Sequence, residues 1–255
     1  MILKSEALAL RVDPFSRTSL LVSWLTRDHG RLATLAKGAH RPRSDFRGQM
    51  DTFYTCEIVY YSAARSGLAT LRECAVIEPR ETLRQNVGGS VCASYLCDLV
   101  QRLAPPGAPQ ESLFAFVSEV LDALCAPQPE VPSRLFYWTE LRLMGLLGMA
   151  PNLVRCTVCG RSEGADEALN VISIPRGGVV CARCRPAAGE QPLIPLDRGT
   201  MAILRAWQAA STPASACRRV CSPEQRAVIE KTLGALLTYH LEYSPGRQIA
   251  LSLLP

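Results

Sequence analysis

Two Cys-x-x-Cys pairs constrain the fold of this chain more than any other feature. The pairs, Cys156 with Cys159 and Cys181 with Cys184, are separated by 21 residues. Each pair brings two thiolates to one side of a tight turn, and two such turns complete the tetrahedron that Zn2+ prefers. Four protein thiolates leave no open position for water, so we expect one structural zinc ion in an insert at about residues 154–187. Two unrelated pairs of free cysteines are the alternative interpretation.

The high cysteine content, without an export signal, indicates a protein of a reducing compartment. The chain has 11 cysteines in 255 residues, and Met1 is followed by a charged, alternating segment where an export signal would have an apolar run. No window approaches eighteen apolar residues, so we expect a cytoplasmic protein without a membrane span. Cys217 and Cys221 form a weaker pair without partners in sequence, and we expect them to be ordinary buried thiols.

The first eighty residues have the pattern of a small barrel. In the segment from Tyr54 to Tyr61, Cys56, Ile58 and Tyr60 share one face while Glu57 takes the other, as a half-buried strand requires. Turn residues such as Asp28-His29-Gly30 separate the segments. The predicted strands are Ile2 to Val12, Ser19 to Thr26, Arg31 to Lys37, Tyr54 to Tyr61 and Leu68 to Ile77. Five strands in this length predict an OB-fold.

The periodicity becomes helical after Pro79, which places a domain boundary near residue 80. The predicted fold is therefore α+β, with a barrel domain at 1–80 and a helical domain at 81–255 that carries the four-cysteine insert. The tail at 244–255 has no clear pattern. The predicted helices run from about Leu83 to Leu103 with Gly88-Gly89 in the middle, from Pro109 to Leu124, from Pro132 to Leu147 with a stop at Gly148, from Arg198 to Ala210, and from a capping box that starts at Ser222.

A basic segment connects the third and fourth predicted strands. Six cations lie between residues 27 and 47 against only two acids, Asp28 and Asp45. The cations are Arg27, Arg31, Lys37, Arg41, Arg43 and Arg47. Glycine and proline in this segment hold an exposed loop on which Arg41 and Arg43 can follow a phosphate backbone, with Phe46 and Phe53 as candidate base-stacking groups. A solvated loop with both phenylalanines packed beneath it is the alternative.

The charge distribution supports a polyanionic partner. The chain carries a net charge of +5, and residues 1–80 hold 12 basic against 8 acidic side chains. The chain contains no Gly-Lys dipeptide of a P-loop, no His-Glu-x-x-His and no Gly-x-Ser-x-Gly. We therefore expect a nucleic-acid-binding protein that is not an enzyme.

Three features together resemble the RecO family of DNA repair and recombination mediators. They are the segment Lys37-Gly38-Ala39 through Arg41-Pro42-Arg43-Ser44, the helical remainder and the inserted four-cysteine knuckle. The resemblance spans the whole chain in element order. By position, Lys37, Arg41, Arg43 and Ser44 match the basic loop of that family, and Cys156, Cys159, Cys181 and Cys184 match the zinc ligands of many of its members. His40 stands where the family often has arginine.

The resemblance implies a bacterial, nucleoid-associated protein that binds single- and double-stranded DNA and anneals complementary strands. It also implies complex formation with RecR, contact with the C-terminal tail of single-stranded DNA-binding protein, and promotion of RecA loading. Two other interpretations remain open from the residues: a zinc-stabilised RNA-binding or ribosome-associated OB-fold protein, and a nucleic-acid enzyme whose carboxylates the sequence does not single out.

Overall fold

A computed structural model describes residues 1–62, 68–126, 133–162, 171–186, 193–241 and 245–253. The chain divides into two compact units. The first comprises Met1–Glu130 with Ile249–Leu253, and the second comprises Val131–Gln248 with Leu254–Pro255. The first unit thus includes two helices in addition to the barrel. The domain boundary near residue 80 that the sequence suggests stays a prediction.

The N-terminal strands form a closed barrel, as the alternation predicts. Their order around the barrel is β1-β2-β3-β5-β4, with β3 and β5 parallel and the other neighbours antiparallel. The OB-fold expectation is confirmed. The strands are β1 (Ile2–Pro14), β2 (Leu20–Thr26), β3 (Gly30–Ala36), β4 (Thr55–Tyr61) and β5 (Leu68–Glu78).

The barrel encloses an apolar core built from alternate residues of each strand. Cys56, Ile58 and Tyr60 of β4 point inward and are buried, whereas Glu57 is exposed. Trp24 is fully buried, and its indole N–H donates to the Thr34 hydroxyl at 2.8 Å. That bond satisfies the only polar atom of the largest core side chain, so the core contains no unpaired indole donor.

Two helices, in the segments 213–216 and 245–252, were not predicted, and the others differ from the predicted ones mainly at their starts. The structure contains α1 (Val87–Leu103), α2 (Glu111–Cys125), α3 (Ser133–Leu146), α4 (Arg198–Ala209), α5 (Pro213–Ala216), α6 (Pro223–Leu241) and α7 (Pro245–Ser252). The Asn86 side chain accepts the Gly89 N–H at 2.9 Å and caps α1, which separates it from the 3-10 turn Glu81–Gln85. The two glycines therefore lie in a first turn and not in the middle of a long helix.

Other helix ends follow local sequence signals. Gln110 precedes α2, so Pro109 does not open that helix. The predicted start of α3 at Pro132 lies outside the described residues, but Gly148 has the left-handed backbone (φ +76°) expected after its end. The capping box before α6 is confirmed: Ser222 and Gln225 exchange hydrogen bonds of 3.0 and 3.3 Å. The unassigned tail contains α7.

A three-stranded sheet between α3 and α4 was not predicted. Its order is β7-β6-β8, where β6 is Val171–Ser173, β7 is Gly178–Val180 and β8 is Leu193–Pro195. Every residue of β6 and β7 is buried. This sheet supplies the packed support for the cysteine turns. No helix in the described ranges is long and apolar enough to cross a membrane.

Candidate nucleic-acid interface and metal centre

The basic loop (residues 37–48, between β3 and β4) is a chain of consecutive turns. The Arg41 N–H donates to the Gly38 carbonyl at 3.0 Å, the Ser44 N–H to Arg41 at 3.1 Å, and the Arg47 N–H to Ser44 at 3.1 Å. The Ser44 hydroxyl also accepts the Phe46 N–H at 3.3 Å. These internal hydrogen bonds join successive turns, which gives the loop a defined conformation without strands or helices.

Two contacts attach the basic loop to the neighbouring loop between β1 and β2. The His40 N–H donates to the Thr18 carbonyl at 3.1 Å, and the Gly38 N–H donates to the Ser19 hydroxyl at 3.4 Å. Between them, the Ala39 side chain is buried in the barrel core. The start of the basic loop is therefore held against one end of the barrel.

The loop presents its cations to solvent. Lys37, Arg41, Arg43 and Arg47 are all exposed. Within the part of the chain that the structure describes, none of them forms an ion pair. These four cations, against the single exposed carboxylate of Asp45 in the same loop, form a positive surface suited to phosphate groups.

Arg27 and Arg31 do not join this surface. The Arg27 guanidinium pairs with Glu6 at 2.9 Å and lies 5.1 Å from the ring centre of Phe114. The Arg31 Nε donates to the Ala104 carbonyl at 3.2 Å. Because Arg31 is the second residue of β3 and Lys37 follows its end, about 20 Å of strand separates the two groups of cations. The six cations grouped by sequence are thus two groups in space.

The two phenylalanines of the predicted interface have different positions. Phe46 is half-buried, packs against the barrel core and lines a pocket beside the basic loop. Phe53 is also half-buried, and its backbone has a left-handed conformation (φ +76°) in which its carbonyl accepts a 2.8 Å hydrogen bond from the Arg80 guanidinium. Phe46 therefore remains the candidate for contact with a base, and the backbone of Phe53 binds the buried Arg80 side chain.

Sequence reasoning missed an exposed aromatic on the β1–β2 loop. The Phe15 side chain is 57% exposed, and Arg17 two residues later is also exposed. The Phe15 N–H donates to the Ser19 carbonyl at 2.9 Å, in the same loop that contacts the basic loop through Thr18. An aromatic that directly follows Pro14 in a polar turn, with no apolar alternation around it, is the signal that could have identified it.

The four cysteines of the two pairs converge as their spacing predicts. Their sulfur atoms all lie within 4.8 Å of one another, and the Cys159 and Cys181 sulfurs are 3.8 Å apart. A tetrahedral ion with metal–sulfur bonds of 2.3 Å requires sulfur–sulfur distances of about 3.8 Å. The arrangement therefore matches a closed four-thiolate site for one metal ion.

The small sheet positions the two cysteine turns. The Thr157 N–H in the first turn donates to the Val179 carbonyl of β7 at 2.9 Å, and Cys181 follows directly after that strand. Gly160 ends the first turn with a left-handed backbone (φ +75°), and its N–H donates to the Cys156 carbonyl at 2.8 Å. The backbone of β7 thus connects both halves of the site.

The four sulfur atoms lie close enough to shift the pKa values of one another's thiols. Burial raises the pKa of Cys156, but backbone N–H groups of Cys181, Cys159 and Val158 stabilise its thiolate and lower the pKa to about 6. The pKa of Cys184 is raised to about 12, first by hydrogen bonding to Cys181 and then by burial and the other two sulfurs. One thiolate is therefore stabilised by the backbone, whereas a complete set of four needs a positive ion between them.

The chain matches two family profiles along most of its length. The profile described as "Recombination protein O N terminal" matches residues 1–80, and the one described as "Recombination protein O C terminal" matches residues 84–248.

Curated relatives agree with these profiles. A "DNA repair protein RecO" of Pelotomaculum thermopropionicum is 31% identical over 242 residues, which cover 94% of this chain and 89% of the relative. A protein of the same name from Moorella thermoacetica is 30% identical over 80% of this chain and 73% of its own length. Another, from Anaeromyxobacter sp. strain K, is 30% identical over 97% of this chain and 93% of its own length.

Proposed function

This chain belongs to the RecO family of DNA repair and recombination proteins, and on that premise we propose that it binds single- and double-stranded DNA through the basic loop. The observation that carries the proposal is the ordered loop at one end of the OB barrel, where Lys37, Arg41, Arg43 and Arg47 are exposed without neutralising partners among the described residues. In this role the protein anneals complementary strands and takes part in homologous recombination.

Annealing requires a surface that neutralises two polyanions, and it requires no covalent bond to be made or broken. The basic loop provides such a surface because its cations contact phosphates, which every DNA sequence presents alike. Four phosphate contacts correspond to a slope of about −3 for log affinity against log salt on single strands. The proposal therefore assigns this protein a mediator role and no catalytic residue.

We test the DNA-binding surface with the double substitution Arg41→Ala and Arg43→Ala. Fluorescence anisotropy with a labelled oligonucleotide, repeated over a range of salt concentrations, measures both affinity and slope. We expect weaker binding to all sequences alike and a slope that is less steep by about 1.4, because two contacts are lost.

The matched control replaces two exposed arginines that already have acidic partners, Arg72 and Arg102. Arg72 pairs with Glu73 at 3.1 Å, and Arg102 pairs with Asp98 at 2.9 Å. The control removes the same number of positive charges, so it separates a local surface from total charge. An equal loss of DNA affinity in both double variants, or no loss in the Arg41 and Arg43 variant, would contradict the assignment of the basic loop as the DNA-binding surface.

We further propose that the protein acts with RecR and with the C-terminal tail of single-stranded DNA-binding protein, and that this promotes RecA loading. The test is annealing of two complementary strands, each coated with the cognate single-stranded DNA-binding protein, without nucleotide. Rapid annealing supports the mediator role. Preferential binding to RNA of the same sequence would instead favour an RNA-binding role, and Mg2+-dependent cleavage of a labelled strand would reveal an enzyme.

Zn2+ is the ion that we propose for the four-cysteine site. A closed set of four thiolates suits a structural ion, because it leaves no position at which water or substrate could bind. Metal analysis of the purified protein tests the identity: one equivalent of zinc is expected, and one equivalent of iron would contradict it. The proposed role places the protein in the cytoplasm at the nucleoid, with residues 1–80 and 81–255 as its functional domains.

A further inference from the structure

A pocket of about 480 Å3 opens beside the basic loop. Its apolar floor is formed by Leu20 at the start of β2, Phe46 of the basic loop and Met50 just after it. All three side chains are partly buried and pack against the barrel core. The floor is therefore held in place from below, while its outer face remains available to a ligand.

The rim of the same pocket is polar and cationic. Arg41 and Arg47 line it together with His40, and no acidic residue is among the described residues that form it. Arg41 and Arg47 belong to the exposed cations of the basic loop. A ligand whose flat apolar group lies on the floor would thus hold an attached anionic group next to the guanidinium groups of Arg41 and Arg47.

We propose that this pocket receives one unstacked base of single-stranded DNA, whose flanking phosphates bind Arg41 and Arg47. The inference rests on the proposed DNA-binding function and adds to it the part of the nucleotide that the site recognises. A volume of about 480 Å3 is in the usual range for small-ligand sites, which is about 300–1,000 Å3. Phe46 supplies an aromatic face, and a base of any sequence can stack on it.

The pocket makes the site selective for unpaired strands. In a duplex the bases are stacked and paired, so a base enters the pocket only after it has been unpaired and extruded, which costs free energy. A single strand presents its bases without that cost. The cations of the basic loop bind phosphates of both forms, and the pocket adds affinity only for the single strand.

The test compares two ligands of equal charge on the full-length protein. One is a thymidine oligonucleotide, and the other is an abasic oligonucleotide with the same number of phosphates. We expect the abasic ligand to bind at least about fivefold more weakly, because it keeps the phosphate contacts and lacks the stacked base. Both ligands should show the same salt dependence.

A conservative variant then locates the effect. Phe46→Leu keeps an apolar side chain against the core but removes the aromatic face, and we expect it to bring the ratio of the two affinities close to one. Tyr61→Leu is the matched control. Tyr61 pairs with Ile2 and Leu20 pairs with Pro14, so Tyr61 and the pocket lie at opposite ends of β1. The control should keep the wild-type ratio.

The outcomes separate this inference from the proposed function. Equal affinity of the wild-type protein for both ligands overturns the pocket and leaves DNA binding by the basic loop intact. Binding of neither ligand overturns the proposed function itself. If an acidic peptide with aromatic residues binds and Phe46→Leu weakens only the peptide, the pocket serves a protein partner and the inference is wrong. The wild-type comparison decides the matter even if Phe46→Leu does not fold.

Discussion

The side chain of Arg41 packs directly against the backbone of Gly38. A Cβ placed on Gly38 would lie 3.3 Å from the Cδ and 3.4 Å from the Nε of Arg41, and Gly38 has a left-handed backbone (φ +73°). The same two residues are joined by the hydrogen bond from the Arg41 N–H to the Gly38 carbonyl. A side chain at position 38 would therefore press on the Arg41 side chain.

Gly38→Ala should weaken DNA binding although it removes no charge. The added methyl group displaces the Arg41 side chain, so the salt slope should become less steep by about 0.7, the value of one contact, and the strained backbone should cost about 1–2 kcal/mol of stability. Gly107→Ala is the control, because Gly107 has a similar backbone (φ +79°) and nothing within 4 Å of its Cβ position. It should lose similar stability and no DNA affinity in anisotropy titrations. An unchanged slope for Gly38→Ala would contradict the role of Arg41.

Removal of the metal should unfold the region around the cysteine turns. Structural zinc sites contribute about 10–16 kcal/mol of apparent binding energy, so Cys159→Ser or a strong chelator should lower the melting temperature markedly. Cys221→Ser is the control, since Cys221 lies outside the four-cysteine cluster. Calorimetry with and without chelator checks both variants. If the chelator has no effect on a zinc-loaded protein, a stabilising role for the ion is wrong.

The ion pair of Glu140 with Arg247 should matter more for stability than any exposed pair. Glu140 is 1% exposed and accepts two hydrogen bonds from Arg247, at 2.7 and 3.0 Å. Glu140→Ala removes the carboxylate that holds this mostly buried guanidinium and should cost about 3–5 kcal/mol in urea unfolding. Asp98→Ala breaks the exposed pair with Arg102 and should cost less than about 1 kcal/mol. Similar losses of unfolding free energy in both variants would contradict the greater importance of the buried pair.

The barrel should lose stability at alkaline pH through Tyr60. Burial and then the charge of Asp28 raise the pKa of Tyr60 from 10.0 to about 12. The unfolded chain releases this proton at a lower pH than the folded chain. The contribution of Tyr60 to the free energy of unfolding is therefore complete below pH 10 and is lost between pH 10 and 12. Over this range the free energy of unfolding falls by about 1.4 kcal/mol per pH unit. Urea unfolding at about pH 9 and 11 measures the decline. Tyr60→Phe should reduce this decline in stability. An identical decline in that variant would show that other groups cause it.

Local patterns in the sequence determined the elements whose signals are local. The alternation of Cys56, Glu57, Ile58 and Tyr60 placed β4 and its buried face, because successive side chains of a strand point to opposite sides. The capping box at Ser222 placed the start of α6. The spacing of the four cysteines likewise predicted their convergence, since each pair is confined by a two-residue turn.

Other features had no local signal of sufficient length. Strands β6, β7 and β8 have three residues each, which is too short to show a period of two. The break before α1 depends on one hydrogen bond between the Asn86 side chain and the Gly89 N–H, within a segment whose apolar spacing is helical throughout. In both cases the packing and capping contacts, and not periodicity, decided the structure.

The sequence by itself determined that the chain has an OB barrel, helices, a four-cysteine site and a cationic segment, because each is encoded by residues close together in the chain. Only the tertiary structure decided which cations act together. Barrel closure puts Arg27 and Arg31 at one end of β3 and the basic loop at the other, and it brings Leu20 of β2 next to Phe46 and Met50. Distance along the chain does not determine distance in space once strands pair around a barrel, so the pocket could be found only in the folded protein.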